Sequence, residues 1–384
     1  MKLTLLALLV SCALMSHALA DTLYSATQSD QSALDIGGTQ SVVLSDVKVQ
    51  KTDGSTSSVD DAGFRGVNAA VRVYDQGQLT LSDAVIESSA PHATGLFVYG
   101  NGTATVSDTT VTVSGSGAGG IEVAGGGTLY GSNLTVQSAS KAAIRSDKGG
   151  GTLVLDGGTY TSTGTNGCPA IYSTADITVS NAVCTSENSR AVIIEGNNSV
   201  SLGNVVLEGN DQSTKNGSIH ANILLYQSMS GDAREGTSEF SMTGGTMTSH
   251  SGALFYCTNT SSVIQLCDVS LNLSDDNTLL IVSAGRWGRE GSNGGHCSLE
   301  AKEQTLTGSI CVDSISSLSL TLSQSTFTGS INSLQEGGSV RVIMEENSSW
   351  TLTGDSYITD ITGDLSGIDL NGFTLYVNDV PMIP

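Results

Sequence analysis

Proline is scarce in this chain: four among 384 residues, against 46 glycines. Charged residues supply 14% and aromatics 5%, an odd mixture for a globular enzyme. Small and hydroxylated residues take their place, as suits many short strands alternating with tight turns. Basic residues are few as well, 15 Lys and Arg against 37 Asp and Glu, for a net charge of −22. That field repels phosphate backbones and anionic lipid, so nucleic acid is not an expected partner. There is no CxxC, and the histidines are scattered, so neither a zinc site nor any other cofactor is expected. Beyond the first twenty residues no apolar run is long enough to span a membrane.

Those twenty, MKLTLLALLVSCALMSHALA, read as an export signal. Lys2 is the basic start, an apolar stretch follows, and Ala18-Leu19-Ala20 fits a small-x-small cleavage site. A rival reading takes Leu9-Val10-Ser11-Cys12 as a lipobox with Cys12 lipidated. Cleavage after Ala20 is the favoured reading, and it predicts a secreted or cell-surface protein. Residues 21–384 then form a single domain. Six cysteines remain: Cys168, Cys184, Cys257, Cys267, Cys297 and Cys311. An even number in an exported chain predicts disulfides, with fifteen full pairings open. Nearest neighbours would pair 168 with 184, 257 with 267, and 297 with 311.

What the chain has in abundance is a repeat. TATVSDTTVTVS at 103–114 is echoed by QLTLSDAVIESS before it and TLYGSNLTVQS after it. An Asp, Asn or Gly marks each copy: Asp46, Asp83, Asp108, Asn133, Gly157, Asn181, Asn204, Gly244 and Asp268. From 83 onward the steps are 25, 25, 24, 24, 23, 40 and 24, with looser copies at Glu303, Gln324 and Gly354. Asp, Asn and Gly tolerate a left-handed backbone, so each marker is read as a tight bend between two strands. Apolar residues stand two before, four before and three after the markers, including Leu81, Leu79 and Ile86 around Asp83. A spacing of two puts them on one face of a strand. For the last copy this reading places Trp350 four before, Leu352 two before and Tyr357 three after Gly354. A third strand precedes each pair, as in VRVY at 71, IEVA at 121 and VIIE at 192.

Three short strands per coil of about 24 residues predict an all-β fold, a right-handed parallel β-helix of about twelve coils. At ~4.8 Å per coil the rod would be roughly 55–60 Å long. No coil buries its apolar face alone, so the repeats must stack. A propeller needs longer repeats, and the GGxGxD calcium motif is absent. Insertions are expected at 50–66, 227–239 and 284–296, the first of them read as a loop.

The closing stretch, SSWTLTGDSYITDITGDLSGIDLNGFTLYVNDV, carries W-x-L-T-G-D-S and NG-x-TLYVN runs over residues 350–378. With the coils, it resembles the tail of pertactin-like passenger domains and of adhesin-like β-helical exoproteins, within the pectate-lyase-like superfamily of folds. The resemblance implies a surface or adhesion role. The chain stops at Pro384 with no outer-membrane barrel or cell-wall sorting motif, so self-display as an autotransporter is not expected.

Catalytic patterns of that superfamily are not legible. Asp275-Asp276 and Gly295-His296 echo part of a polygalacturonase pattern, but the preceding N-x-D and following R-x-K are missing. Two acids in a turn are read as solvated. The corner insertions 227–239 and 284–296 offer more. They should project side by side, bringing Arg234, Glu235, Arg286, Trp287, Arg289, Glu290 and His296 together on a rod otherwise acidic and poor in aromatics. Trp beside Arg suits a stacked sugar ring or an anionic group. The expected function is therefore a non-catalytic, exported adhesin-like protein binding a glycan or a surface protein. The alternatives are a polysaccharide lyase or hydrolase and a structural envelope component.

Overall fold

The computed structural model describes residues 22–214 and 217–382. The export signal and Cys12 lie outside the described residues. Nearly every strand pairs in parallel with its counterpart one coil later, and the coils stack into a parallel β-helix with three walls. The first wall has eleven strands, from Leu34–Ile36 to Ser309–Val312. The second runs from Ser41–Ser45 to Asp360–Gly363. The third starts with Thr22–Ala26 and Val47–Lys51 and continues at the far end as Thr305–Thr307, Thr326–Gly329, Ser349–Leu352 and Ile368–Asp369. No described helix is long and apolar enough to cross a membrane.

The apolar columns fill the tube. Leu79, Ala104, Leu129, Leu153, Ile177, Val200, Phe240, Ile264, Leu299 and Leu320 stack in register on the second wall, all buried. Fully burying a side chain of Leu or Ile size stabilises by about 1.5–3 kcal/mol.

The bends sit at the marker residues. Asp46, Asp83, Asp108, Asn133, Asn181, Asn204, Asp268, Glu303 and Gln324 all have φ between 49° and 54°. Gly157 and Gly244 take the same role at 71° and 65°. The ladder passes through the bends unbroken: Asp108 N–H donates to the Ser132 carbonyl and Asn133 N–H to that of Asp156. Side chains link too, with Asn133 Nδ2 donating to Asp108 Oδ1 (3.3 Å) and Asn181 Nδ2 to Asp156 Oδ1 (2.7 Å).

The last coil departs from the expected register. Trp350 pairs with Phe327, which places it on the third wall. Val342 and Met344 take the second-wall columns, paired with Leu320 and Leu322. The bend here is four residues, 345–348, with Asn347 at φ 61°, and Gly354 is not left-handed. A longer bend shifted the pattern by one wall. Trp350 is fully buried, stacks on Phe327 at 5.7 Å and donates its indole N–H to the Gly329 carbonyl. The coils end in a hairpin, Leu375–Val377 against Val380–Pro381, turned by left-handed Asn378 and Asp379. It is the one antiparallel pair of strands among the described residues.

The 50–66 segment is not simply a loop. It contains the helix α1 (Val59–Arg65). Ser58 Oγ accepts from Asp61 N–H at its start, and left-handed Gly66 ends it at φ 68°. A Cβ on Gly66 would fall 2.4 Å from the Phe97 ring, so the helix end lies flat on the outside of the first wall.

Candidate functional site

The 227–239 and 284–296 insertions both leave the first wall and enter the second, with one ordinary coil between them. Their bases are tied down by amides. Asn259, left-handed at φ 53°, donates Nδ2 to the Gln227 carbonyl at 2.8 Å. Buried Asn293 donates Nδ2 to the carbonyls of Gly285 and Trp287, both at 2.8 Å. Ala284 N–H donates to Asp313 Oδ2 at 2.8 Å. Between the loops lies a groove of about 500 Å³ lined by Gln227, Met229, Glu235, Asn259, Arg289 and Ser292 among others. Met229 stands 74% exposed at its rim, and the buried Oε1 of Gln227 has no hydrogen-bond partner.

The seven expected site residues divide. Glu235 and Arg289 line the groove. Arg234 is exposed, and its backbone carbonyl accepts from Asn197 N–H at 2.8 Å. Glu290 is exposed beside Arg289 without lining the groove. Trp287 is spent on packing: its ring lies 4.6 Å from that of Tyr226, and Arg286 sits 4.4 Å above it. His296 belongs to the second wall, with Nδ1 2.9 Å from Ser317 Oγ, and does not line the groove. Asp275 and Asp276 sit in a turn between strands.

The outer face of the first wall holds a larger surprise. Arg145 donates Nε to Glu122 Oε1 (3.1 Å) and Nη2 to Asp147 Oδ2 (2.5 Å), and its guanidinium lies 4.5 Å over the Tyr172 ring. Thr94 Oγ1 donates to Glu122 Oε2 at 3.2 Å. Tyr172 and Tyr226 both donate their hydroxyls to Glu195 Oε2, at 2.5 and 2.9 Å, and Ser228 Oγ donates to Oε1. With Tyr226 against Trp287, the chain of contacts runs from the Thr94 coil to the corner loops. Burial pushes the Glu122 carboxyl above its usual range, against the pull of Arg145 and Lys141. Burial alone would lower Arg145, but Asp147 and Glu122 more than reverse it. Tyr172 and Tyr226 are pushed up by burial and by Glu195.

Sequence reasoning missed this strip because its members lie one coil apart and each reads alone as an outward strand position. A second buried ion pair, Arg190 with Asp211 at 3.0 Å, also escaped notice.

Cys184, Cys257, Cys267, Cys297 and Cys311 appear without a disulfide among the described residues, and the nearest-neighbour pairings do not fit the walls. Cys257 lies one residue before the end of a first-wall strand, whereas Cys267 ends the second-wall strand Ser261–Cys267, about 33 Å of extended chain further on. Cys297 is buried, whereas Cys311 pairs with Ile281 on the outward side of its wall. Cys184 lies in the tube on the third wall, and Cys168 donates its thiol to the Ser140 carbonyl. Among the described residues no group of three His, Cys, Asp or Glu is arranged to hold a metal ion. Compared with known protein families, with curated proteins and with solved structures, the chain matches none.

Proposed function

We propose that this is an exported, adhesin-like β-helical protein that binds a glycan in the groove between its two corner loops. One observation carries the reading: two insertions from separate coils stand side by side and enclose a polar groove on a rigid wall. Its chemistry suits a sugar. Arg289 and Glu235 offer charged hydrogen-bonding groups, Gln227 and Asn259 offer amides, and Met229 offers an apolar edge. The resemblance of residues 350–378 to pertactin-like tails points the same way.

The enzyme alternative finds less support. A polysaccharide hydrolase needs an open pair of carboxyl groups flanking the bond it cuts. The acids on the first wall are closed off: Glu122 and Glu195 are 0% and 1% exposed, each committed to hydrogen bonds within the protein.

The test is an array of polysaccharides and mucin glycans probed with residues 21–384, beside Arg289→Ala and a chain with 286–292 shortened to a Gly-Ser turn. Specific retention that weakens at least tenfold with Arg289→Ala, ~1.4 kcal/mol, is the expected result. Retention indifferent to both changes, binding only to matrix proteins, or release of new sugar ends would overturn it.

A further inference from the structure

We propose that Cys257 and Cys297 form a disulfide that ties the foot of the 284–296 loop to the coil standing between the two corner loops. Their sulfurs lie 3.7 Å apart. Cys257 is the penultimate residue of the first-wall strand Ala253–Thr258, which leads into Asn259 and Thr260 of the groove. Cys297 lies in the second-wall strand His296–Lys302, directly after the 284–296 insertion. Gly295 makes the approach close: a Cβ there would fall 2.6 Å from the Cys257 carbonyl oxygen, so the backbones run flush. Both thiols are buried, Cys257 at 0% and Cys297 at 5% exposure. A disulfide needs about 2.05 Å between sulfurs, so the pair must close by roughly 1.7 Å, within reach of side-chain rotation.

The reaction is a two-electron exchange. The two S–H bonds break and one S–S bond forms. The two electrons and two protons pass to an incoming disulfide, such as oxidised glutathione or a protein disulfide, which leaves as two thiols. The folded pair is poorly placed to start this exchange. Burial pushes the Cys257 thiol well above its usual range, and the Cys297 sulfur adds to that, so the reactive thiolate is scarce. The bond therefore forms while the coils are still closing and, once buried, resists reductant.

To test this, the full chain is refolded in a mixture of reduced and oxidised glutathione, denatured without reductant, alkylated with iodoacetamide and mapped by peptide mass. The expected result is a cross-linked peptide pair joining the segments that carry Cys257 and Cys297, 2 Da lighter than its reduced components. Alkylation of both Cys257 and Cys297, or a cross-link of either to another cysteine, overturns the proposal. As a second readout, unfolding in strong reductant should lower the wild-type Tm by roughly 5 °C and leave that of Cys297→Ser unmoved. An equal shift in both proteins overturns it too. If that variant does not fold, the wild-type map alone decides. Neither readout involves a glycan, so this proposal and the groove reading fail separately.

Discussion

Arg145→Met is the substitution that most directly probes the buried strip on the first wall. Methionine keeps an unbranched apolar stem over the Tyr172 ring but removes the guanidinium that now serves both Glu122 and Asp147. Glu122 is completely buried and Asp147 nearly so. Removing one member of a buried ion pair leaves an uncompensated charge and costs about 3–5 kcal/mol. The loss should depend on pH. The folded Glu122 carboxyl already sits above its ordinary value, because burial outweighs Arg145. A carboxyl raised in the folded state stabilises below its unfolded pKa, and that contribution is lost as pH rises through the folded pKa. Without Arg145 the folded value rises further, so Glu122 in the variant takes up a proton at a higher pH than in the wild type. The gap between the two proteins should thus be widest near pH 7.5 and narrow toward pH 5. Urea unfolding followed by far-UV circular dichroism at the two pH values measures it. Adding Glu122→Gln to the variant should recover part of the loss at pH 7.5. A deficit under about 1 kcal/mol, or one that does not change between pH 7.5 and pH 5, would refute the reasoning.

The remaining predictions concern the coils themselves. Trp350→Ala empties the third-wall core beside Phe327 and should cost about 3–5 kcal/mol by urea unfolding, whereas Tyr357→Ala, half-exposed, should cost much less. Asn181→Ala forces a β-carbon residue without a local hydrogen bond into a left-handed bend and should cost about 1–2 kcal/mol, while Asn181→Gly should cost markedly less. Ser58→Ala removes the cap of α1 and should cost about 1 kcal/mol, visible as faster amide exchange in residues 59–65 before any change elsewhere.

Much of this fold was legible in the sequence because its signal repeats. A left-handed residue recurring mostly at steps of 23–25, with apolar residues at fixed offsets from it, leaves few other architectures. The signal failed at Gly354 for a local reason: the bend before Trp350 lengthened to four residues, and an offset rule cannot see an insertion of that size. The helix α1 was legible and overlooked, since Ser58-Val59-Asp60-Asp61 and Gly66 are capping signals at the right spacing. At the corner, loop position could be inferred but side-chain direction could not. Trp287 packs its ring against buried Tyr226 on the outer face of the first wall, and no spacing rule reveals that. Cysteine pairing misled for a related reason. Sequence neighbours in a coil stand on different walls, whereas residues 40 apart across an enlarged coil share a corner.

The parallel ladders have a mechanical consequence. Their interstrand hydrogen bonds run along the rod, between coils, and not across it. A lengthwise pull on the ends would load the bonds of the outermost coil first, so the protein should peel open coil by coil. Each released coil of about 24 residues would pay out roughly 80 Å of extended chain. A sideways force would meet many ladders at once. Tethered at one end and gripped at its corner loops, such a rod would lengthen in steps under load, and only the coils between tether and grip would be exposed to the strain.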